Sequence, residues 1–256
     1  NLIDWFSNKD NHKKYDYYVF NSHWCYEKFR MRFNVPTERC TVIKNAVEPF
    51  PNKEFKRNGK LKMIYHSTPW RGLNVLLGAM QLIKSKDVEL DVYSSTQIYG
   101  DQFKDANDSQ YKDLYEQAKS LPNVNYIGYV NNDEIRKKLP SYDVYCFPSI
   151  WEETSCISAI ESLAAGLHMI TTNYGALFET CSEWPVYINY TNDYKQLAQL
   201  FAFSIDEVNA YLYKGTVPHF LKSQQQFFNQ FYSWERRKGE WTNFLEGLLH
   251  EKRSKF

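Results

Sequence analysis

From about residue 15 onward, short apolar runs alternate with longer amphipathic stretches. Tyr15 to Asn21 (YDYYVFN) is strand-like. His23 to Phe33 places Trp24, Phe29 and Phe33 at near-helical spacing before Val35-Pro36 stops the helix. Cys40 to Lys44 (CTVIK) reads as a strand, and Asn45 to Gly59 as a polar, proline-containing connector. Leu61 to His66 (LKMIYH) is the next strand. It runs through Ser67-Thr68-Pro69-Trp70-Arg71-Gly72 into a helix from Leu73 to Ile83, whose Leu73, Leu76, Leu77 and Met80 share one face. Further strands are expected at Leu90 to Ser94, Val124 to Val130, Asp143 to Phe147, His168 to Thr172 and Val186 to Tyr190. Between them the pattern predicts a polar loop at Ile98 to Asp108 and a helix at Tyr111 to Leu121. It also predicts a short helix capped by Asn131 or Asn132 and ending at Leu139, and a strong helix at Ser155 to Ala165 halted by Gly166. Three helical stretches close the chain, around Asp193 to Phe203, Ile205 to Leu212 and Leu221 to His250.

Strands and helices alternating at this spacing form βαβ units. The expected fold is therefore α/β, a Rossmann-like parallel sheet with helices on both faces. No fixed-period repeat appears, and no domain boundary falls inside residues 60 to 220; residues 1 to 50 look like the edge of another unit. Of the 256 residues 43% are hydrophobic, enough for a sizeable core, and the 20 Tyr, 17 Phe and 7 Trp make much of that core amphipathic. There is no apolar run of the ~18 residues that a membrane-spanning helix needs. With 31 Lys+Arg against 30 Asp+Glu, the net charge of +1 gives no global attraction to nucleic acid, and none is expected as a partner. The five cysteines (Cys25, Cys40, Cys146, Cys156, Cys181) are scattered and form no C-x-x-C pair, which indicates neither a disulfide framework nor a zinc site and points to the cytoplasm. Asn1-Leu2-Ile3-Asp4-Trp5 has no basic leader or apolar core of a signal peptide, and the missing initiator Met suggests a piece of a longer chain.

Ligands of open parallel sheets bind at the carboxyl ends of the strands, and two such places are chemically loaded. After Leu61–His66, Arg71 at a strand-to-helix turn offers a permanent charge and a bidentate fork to a phosphate, and Gly72 lets the backbone come close. Taken alone, that segment suits a solvated arginine beside a helix start better. The second place is Pro148 to Glu161 (PSIWEETSCISAIE). A helix N-terminus there supplies free N–H groups and about half a positive charge, which suits a diphosphate. Glu161 lies about 9 Å further along the axis at ~1.5 Å per residue, within reach of vicinal hydroxyls such as those of a ribose. Glu153 would face a group just beyond the phosphates, such as a hexose. Ile157, Ile160 and Leu163 define a packed face that leaves both carboxylates unexplained by packing.

Glu153, seven intervening residues, Glu161 and then Ser162-Leu163-Ala164-Ala165-Gly166 resemble the E-x7-E motif of retaining glycosyltransferases with the GT-B fold, most closely family 4, the glycosyl transferases group 1. Asn123 to Ser149 resembles that family's approach to the motif, and Tyr65 to Gly72 its phosphate loop. Residues 17 to 50 are similar to its crossing between acceptor and donor domains, and Ser233-Trp234-Glu235 with Trp241 to its closing helix. The resemblance covers nearly the whole chain. It implies a transferase whose donor is a nucleotide-diphosphate sugar and whose acceptor is an unknown glycan, lipid or protein. No cofactor and no metal are expected, and the site of action is the cytoplasm or the cytosolic face of a membrane.

By the same resemblance Glu153 contacts the donor sugar and supports the transition state, Arg71 neutralises the leaving diphosphate, and Glu161 holds the ribose. Thr154, Ser155, Cys156 and Ile157 match the loop whose amides meet sugar and phosphates, and Tyr129 and Val130 the stretch that meets the base. His66 and Gly72 belong to the phosphate loop. His66 stands where the family has arginine, so half of the cationic clamp is neutral or titrating, and donor affinity is expected to be weaker or pH-dependent. Thr154-Ser155-Cys156 replaces the usual Gly-Phe-Gly. The implied organisation is an acceptor-side remnant and crossing at 1–45, a donor-binding Rossmann-like domain at 46–225 and a closing helix at 226–256. The N-terminal acceptor domain is missing.

Other readings attach to single residues. Cys156 near a helix start reads as a packing residue rather than an activated thiolate, since no His or Asp lies beside it in sequence. His23 and His168 read as structural, Trp70 and Trp151 as rim or core packing as readily as stacking platforms, Glu235 to Lys238 (ERRK) as a solvated helix face, and Glu251 to Phe256 as a frayed tail. Two alternatives to a transferase stand. One is a nucleotide-sugar-binding module inactive without an acceptor-domain partner. The other is a nicotinamide-dependent oxidoreductase, disfavoured because no G-x-G-x-x-G follows a strand. The donor reading requires that Arg71 and the start of the segment near Ser155 converge on one pocket, and that no internal ion pair consumes the Glu161 carboxylate.

Overall fold

The computed structural model describes residues 2–253, with side chains from Asp4 to His250. The strands are β1 (Tyr18–Phe20), β2 (Cys40–Val42), β3 (Leu61–His66), β4 (Val88–Tyr93), β5 (Val124–Tyr126), β6 (Val144–Phe147), β7 (His168–Thr172) and β8 (Val186–Ile188). The helices are α1 (Leu2–Ser7), α2 (His23–Phe33), α3 (Leu73–Leu82), α4 (Asp101–Asn107), α5 (Lys112–Ser120), α6 (Asn132–Lys138), α7 (Ile157–Ala164), α8 (Leu177–Cys181), α9 (Tyr194–Tyr211), α10 (Val217–Phe231) and α11 (Trp234–Arg253).

β3 to β8 form one parallel sheet in the order β5-β4-β3-β6-β7-β8. This is the α/β, Rossmann-like architecture that the alternation of runs predicts. Right-handed crossovers place α3 and α5 on one face and α6, α7 and α8 on the other; accordingly α3 packs on α5 and α9, and α7 on α8 and α10. The chain reverses its direction of travel across the sheet between β3 and β6, so the crevice beyond their carboxyl ends is the switch point.

The core at this point is aromatic. Tyr65, Tyr145 and Phe147 are buried together, with ring centroids 5.3 Å (Tyr145–Phe147) and 6.1 Å (Tyr65–Phe147) apart. The hydroxyls are satisfied: Tyr65 Oη donates to Thr68 O (2.7 Å), and Tyr145 Oη pairs with Ser158 Oγ (3.0 Å). Buried tyrosine is tolerated because each polar tip has a partner.

β1 and β2 form a separate two-stranded parallel sheet with α2 as crossover, over its own cluster of Tyr18, Phe20, Phe33 and Val35. Glu179 of α8 fastens this unit to the large sheet. Its carboxylate accepts from the His23 and Trp24 amides at the start of α2 (2.9 and 2.8 Å) and from Lys44. His23 therefore lies exposed at a polar junction, whereas His168 is buried with its ring 3.3 Å from Tyr211 Oη.

The connector from residue 43 to 60 has no regular structure apart from a bridge of Val47 to Ser233. Side-chain amides of α10 replace a neighbouring strand there. Asn229 bonds both the N–H and the C=O of Phe50, and Gln225 bonds Lys53 N and Pro51 O.

Several sequence expectations are corrected. Ile98 to Asp108 is a 3-10 turn and α4, because Tyr99 and Phe103 pack on Trp70 and the Asp108 carboxylate gathers the Thr96 amide and the Thr96 and Tyr115 hydroxyls. The expected strand Val124 to Val130 stops at Tyr126, ahead of Gly128 at φ 82°. Asp193 to Leu212 is one continuous helix, and Leu221 to His250 is two, separated at Ser233, whose hydroxyl accepts from Arg236 N (3.3 Å). α8 was not expected. The basic run 235–238 is not wholly solvated: Arg237 is buried and donates to Asn45 O and Phe231 O. Of the tail, α11 continues to Arg253, and residues 254–256 lie outside the described residues. The five cysteines are all free thiols. No helix among the described residues is long and apolar enough to cross a membrane.

Candidate functional site

Two loops meet at the switch point. β3 ends at His66 and turns through a 3-10 segment, Pro69–Arg71, into α3; β6 ends at Phe147 and runs through Pro148–Cys156 into α7. Their contact needs a glycine. Gly72 has φ 102°, and a Cβ there would sit 1.9 Å from Pro148 O. On the far side, Gly175 at φ 66° backs onto the Glu153 backbone, where a Cβ would meet Glu153 N at 2.5 Å, and Ala176 N donates to Glu153 O (2.7 Å). Glu153 is thus held at its backbone by the 175–176 turn.

A cavity of about 430 Å³ opens between these loops. Of the residues singled out from sequence, His66, Arg71, Glu153, Thr154, Cys156, Ile157 and Glu161 line it together, and Tyr129 and Val130 reach it from the loop after β5. Gly72 and Ser155 lie behind the wall: Gly72 packs on Pro148, and Ser155 is buried. Ile157 is half-exposed rather than part of the packed face of α7, which Ile160 and Leu163 supply. Trp151 is exposed and does not line the cavity; Trp70 stacks on Tyr99, which does. Arg71 and the start of α7 therefore converge on one cavity.

Both carboxylates are paired. Arg71 Nη1 lies 2.6 Å from each oxygen of Glu153, which is only 3% exposed. Burial pushes the Glu153 carboxyl above the usual glutamate range, opposed by Arg71 and by a hydrogen bond from Ser149. Glu161 is paired with Arg136 of α6 (2.7 Å) and accepts from Asn132 Nδ2 (3.1 Å), both on Oε1. Arg136 also donates to Glu48 O (2.7 Å) and lies over the Phe50 ring at 4.2 Å. The condition that no internal ion pair consume the Glu161 carboxylate fails at Oε1, because α6, carried across the sheet between β5 and β6, brings Arg136 over α7; of the two conditions only the convergence of Arg71 and the start of α7 is met. Asn132 and Arg136 are site residues that sequence reasoning missed, as it did Asn21, Asn45, Thr68 and Tyr99 of the lining; for the first two, the i,i+4 spacing on one face of a crossover helix is the signal that marks them.

His66 does not form half of a cationic clamp. Its ring is buried, 4.7 Å from Tyr145 and with Nε2 2.7 Å from Ser162 Oγ, and burial lowers its pKa to about 3. It stays neutral near pH 7 rather than titrating. Cys156 adopts φ 62° as the residue preceding α7, and burial pushes its thiol up to about 12, so it is a packing residue and not a thiolate. Two polar atoms on cavity-lining side chains, Thr68 Oγ1 and Arg71 Nε, are buried without a partner. Native proteins seldom leave such atoms unsatisfied unless a ligand or solvent meets them. Among the described residues no group of three or more His, Cys, Asp or Glu side chains is placed to hold a metal ion.

The geometry has known counterparts. The chain is 26% identical over 164 residues to the uncharacterized glycosyltransferase MJ1607 of Methanocaldococcus jannaschii; the match covers 57% of this chain and 40% of that protein. A glycosyltransferase from Rickettsia africae ESF-5 superimposes with a TM-score of 0.72 at 16% identity, over 94% of this chain and 68% of its own. Anabaena Alr3699/HepE, solved in complex with UDP-glucose, gives a TM-score of 0.68 at 14% identity, over 93% and 68%. At these identities the solved structures share the fold. Residues 46–208 match the glycosyl transferases group 1, which takes in every loop of the cavity from Arg71 to Glu161. The chain belongs to the glycosyl transferases group 1 family.

Proposed function

We propose that this chain is the donor-binding half of a retaining glycosyltransferase and that its cavity takes a nucleotide-diphosphate sugar. The observation that carries the reading is the convergence of Arg71 and the start of α7 on one cavity at the switch point, with Thr68 Oγ1 and Arg71 Nε buried there unpaired. The diphosphate lies against the amides that open α7 and against Arg71, whose Nη1 holds Glu153. Glu153 faces the sugar, and the base lies toward Tyr129 and Val130. Glu161 reaches the ribose through Oε2 only, since Oε1 belongs to Arg136 and Asn132. The loss of that oxygen moves the weight of the reading from Glu161 to Arg71 and α7.

In this scheme the bond from the anomeric carbon to the phosphate oxygen breaks while an acceptor oxygen bonds that carbon on the same face. The acceptor proton passes to the departing phosphate, and no metal takes part. The relatives supply support of the same kind: Alr3699/HepE was solved with UDP-glucose, and the pneumococcal O-GlcNAc transferase GtfA with UDP and GlcNAc. In the proposed organisation 46–225 binds the donor, 226–256 closes onto it, and 1–45 leads from an acceptor domain that lies outside this chain. Because the chain spans 40% of the curated relative, a second reading fits it alone: a nucleotide-sugar-binding module that turns nothing over without an acceptor-domain partner. Calorimetric titration with UDP, GDP and ADP sugars tests the site. One of them should bind, Glu161→Ala should weaken the free nucleotide, and Glu153→Ala should lower turnover. Absence of binding at millimolar concentration refutes the site assignment, and equal binding of free nucleotide by wild type and Glu161→Ala refutes the role of Glu161. Sugar transfer by the isolated chain would remove the second reading.

A further inference from the structure

Arg71 is the only lysine or arginine among the described residues that line the cavity, which also holds Glu153 and Glu161. Each charge is already matched. Arg136 compensates Glu161 from behind the wall, and Arg71 compensates Glu153 with Nη1 2.6 Å from both oxygens. His66 adds no charge, because its buried ring faces Ser162 and Tyr145. A nucleotide-sugar diphosphate brings two negative charges into this balanced wall. The start of α7 offers about half a positive charge in return. A single guanidinium cannot compensate both a diphosphate and a carboxylate that is 3% exposed. The charge that can be removed is the carboxylate's, because a neighbouring anion favours the neutral form of a carboxyl group.

We propose that Glu153 takes up a proton when the diphosphate of a nucleotide sugar enters, so that the Arg71–Glu153 ion pair becomes an Arg71–diphosphate pair beside a neutral carboxylic acid. This inference rests on the nucleotide-sugar reading above. The proton comes from solvent and forms one carboxyl O–H bond, which then donates a hydrogen bond to the ligand; nothing is oxidised or reduced. Burial already works in this direction, since it raises the proton affinity of Glu153 against the pull of Arg71. The groups that face Glu153 from the surrounding elements are Arg71 of the 69–71 turn, Tyr65 of β3, Tyr145 of β6, Cys156 before α7 and Cys181 of α8. Burial keeps the tyrosines and both thiols protonated far above neutrality, and His66 is neutral down to about 3. Glu153 is therefore the group at this site whose charge changes with the ligand.

The test is calorimetry of UDP-glucose, whose diphosphate carries no group titrating near neutrality, in EDTA-containing buffers of different ionisation enthalpy. Wild type should take up close to one proton per ligand bound. Its Kd should tighten as pH is lowered from neutrality, by up to about tenfold for each pH unit. Glu153→Gln should bind with no proton uptake and a flat pH profile. Should that variant fail to fold, the wild-type pH slope and buffer dependence decide alone. Buffer-independent heats in wild type, the same uptake in Glu153→Gln, or binding that appears only on addition of Mg²⁺ would overturn the inference. Absence of binding in every buffer would instead remove the nucleotide-sugar reading, and this inference with it.

Discussion

Arg136→Ala removes the cation paired with a carboxylate that is itself only 4% exposed. Breaking one side of a buried ion pair costs about 3–5 kcal/mol when the remaining charge is left uncompensated. Two features lower that figure here: the Arg136 side chain is 17% exposed, and Asn132 still donates to the same oxygen. Two features raise it, the bond from Arg136 to Glu48 O and its place over Phe50. The expected loss is about 3 kcal/mol, with about 1–2 kcal/mol for Glu161→Gln, which keeps the shape and one acceptor. The double variant should then be more stable than the sum of the two losses, by a coupling of about 1–2 kcal/mol. Urea denaturation followed by tryptophan fluorescence measures all four members of the cycle, and a constant m-value shows that the same surface unfolds in each. Coupling within about 0.3 kcal/mol of zero would mean that the two side chains act independently and that the pair anchors nothing. The same proteins test the nucleotide-binding role proposed for Glu161: free UDP should bind far more weakly to Glu161→Ala than to Arg136→Ala, where the carboxylate survives.

Two further predictions concern the frame around the site. Gly72→Ala must move either its own turn or Pro148, because the new Cβ would lie 1.9 Å from a carbonyl oxygen at φ 102°. A loss of roughly 2–4 kcal/mol is expected from strain and overlap together. Gly59→Ala, at φ 80° with nothing within 4 Å, should lose only roughly 1 kcal/mol; equal urea midpoints for the two would refute the close approach. At Glu179, burial works against ionisation, but Lys44 and the His23 and Trp24 amides hold the carboxyl down at about 2, against 4.5 for an ordinary glutamate. A depressed carboxyl stabilises the fold above its unfolded value, so this contribution of about 2–3 kcal/mol is present at neutral pH and fades as pH falls from about 4.5 toward 2. Glu179→Gln should therefore lower the urea midpoint at pH 7 and much less at pH 3, and an equal effect at both would refute it.

What the sequence discloses and what it withholds divide along a physical line. Strands β3, β6 and β7 are legible because each is a short apolar run with a hard stop, and α7 because Ile160, Leu163 and Gly166 fix its buried face and its end. Since parallel sheets place loops at strand ends, Glu153 and Glu161 could be singled out from position along the chain, whereas Arg71 stands out only through the family resemblance. Their partners could not. Whether a carboxylate on α7 is free depends on which residue the crossover from β5 delivers opposite it, and that is a property of strand order rather than of any local window. The same reasoning covers α4, where a polar stretch folds because Tyr99 and Phe103 find Trp70, a residue that sequence spacing places about thirty positions away. It covers His66 as well: a histidine at a strand end reads as a titratable ligand until Tyr145 and Ser162 enclose it and burial holds it neutral. Local pattern thus locates charges at this site, while tertiary packing decides which of them remain available to a ligand. Among the described residues that line the cavity Arg71 is the one lysine or arginine, and it is already bound to Glu153. Any anion that binds there has to compete with that carboxylate or neutralise it.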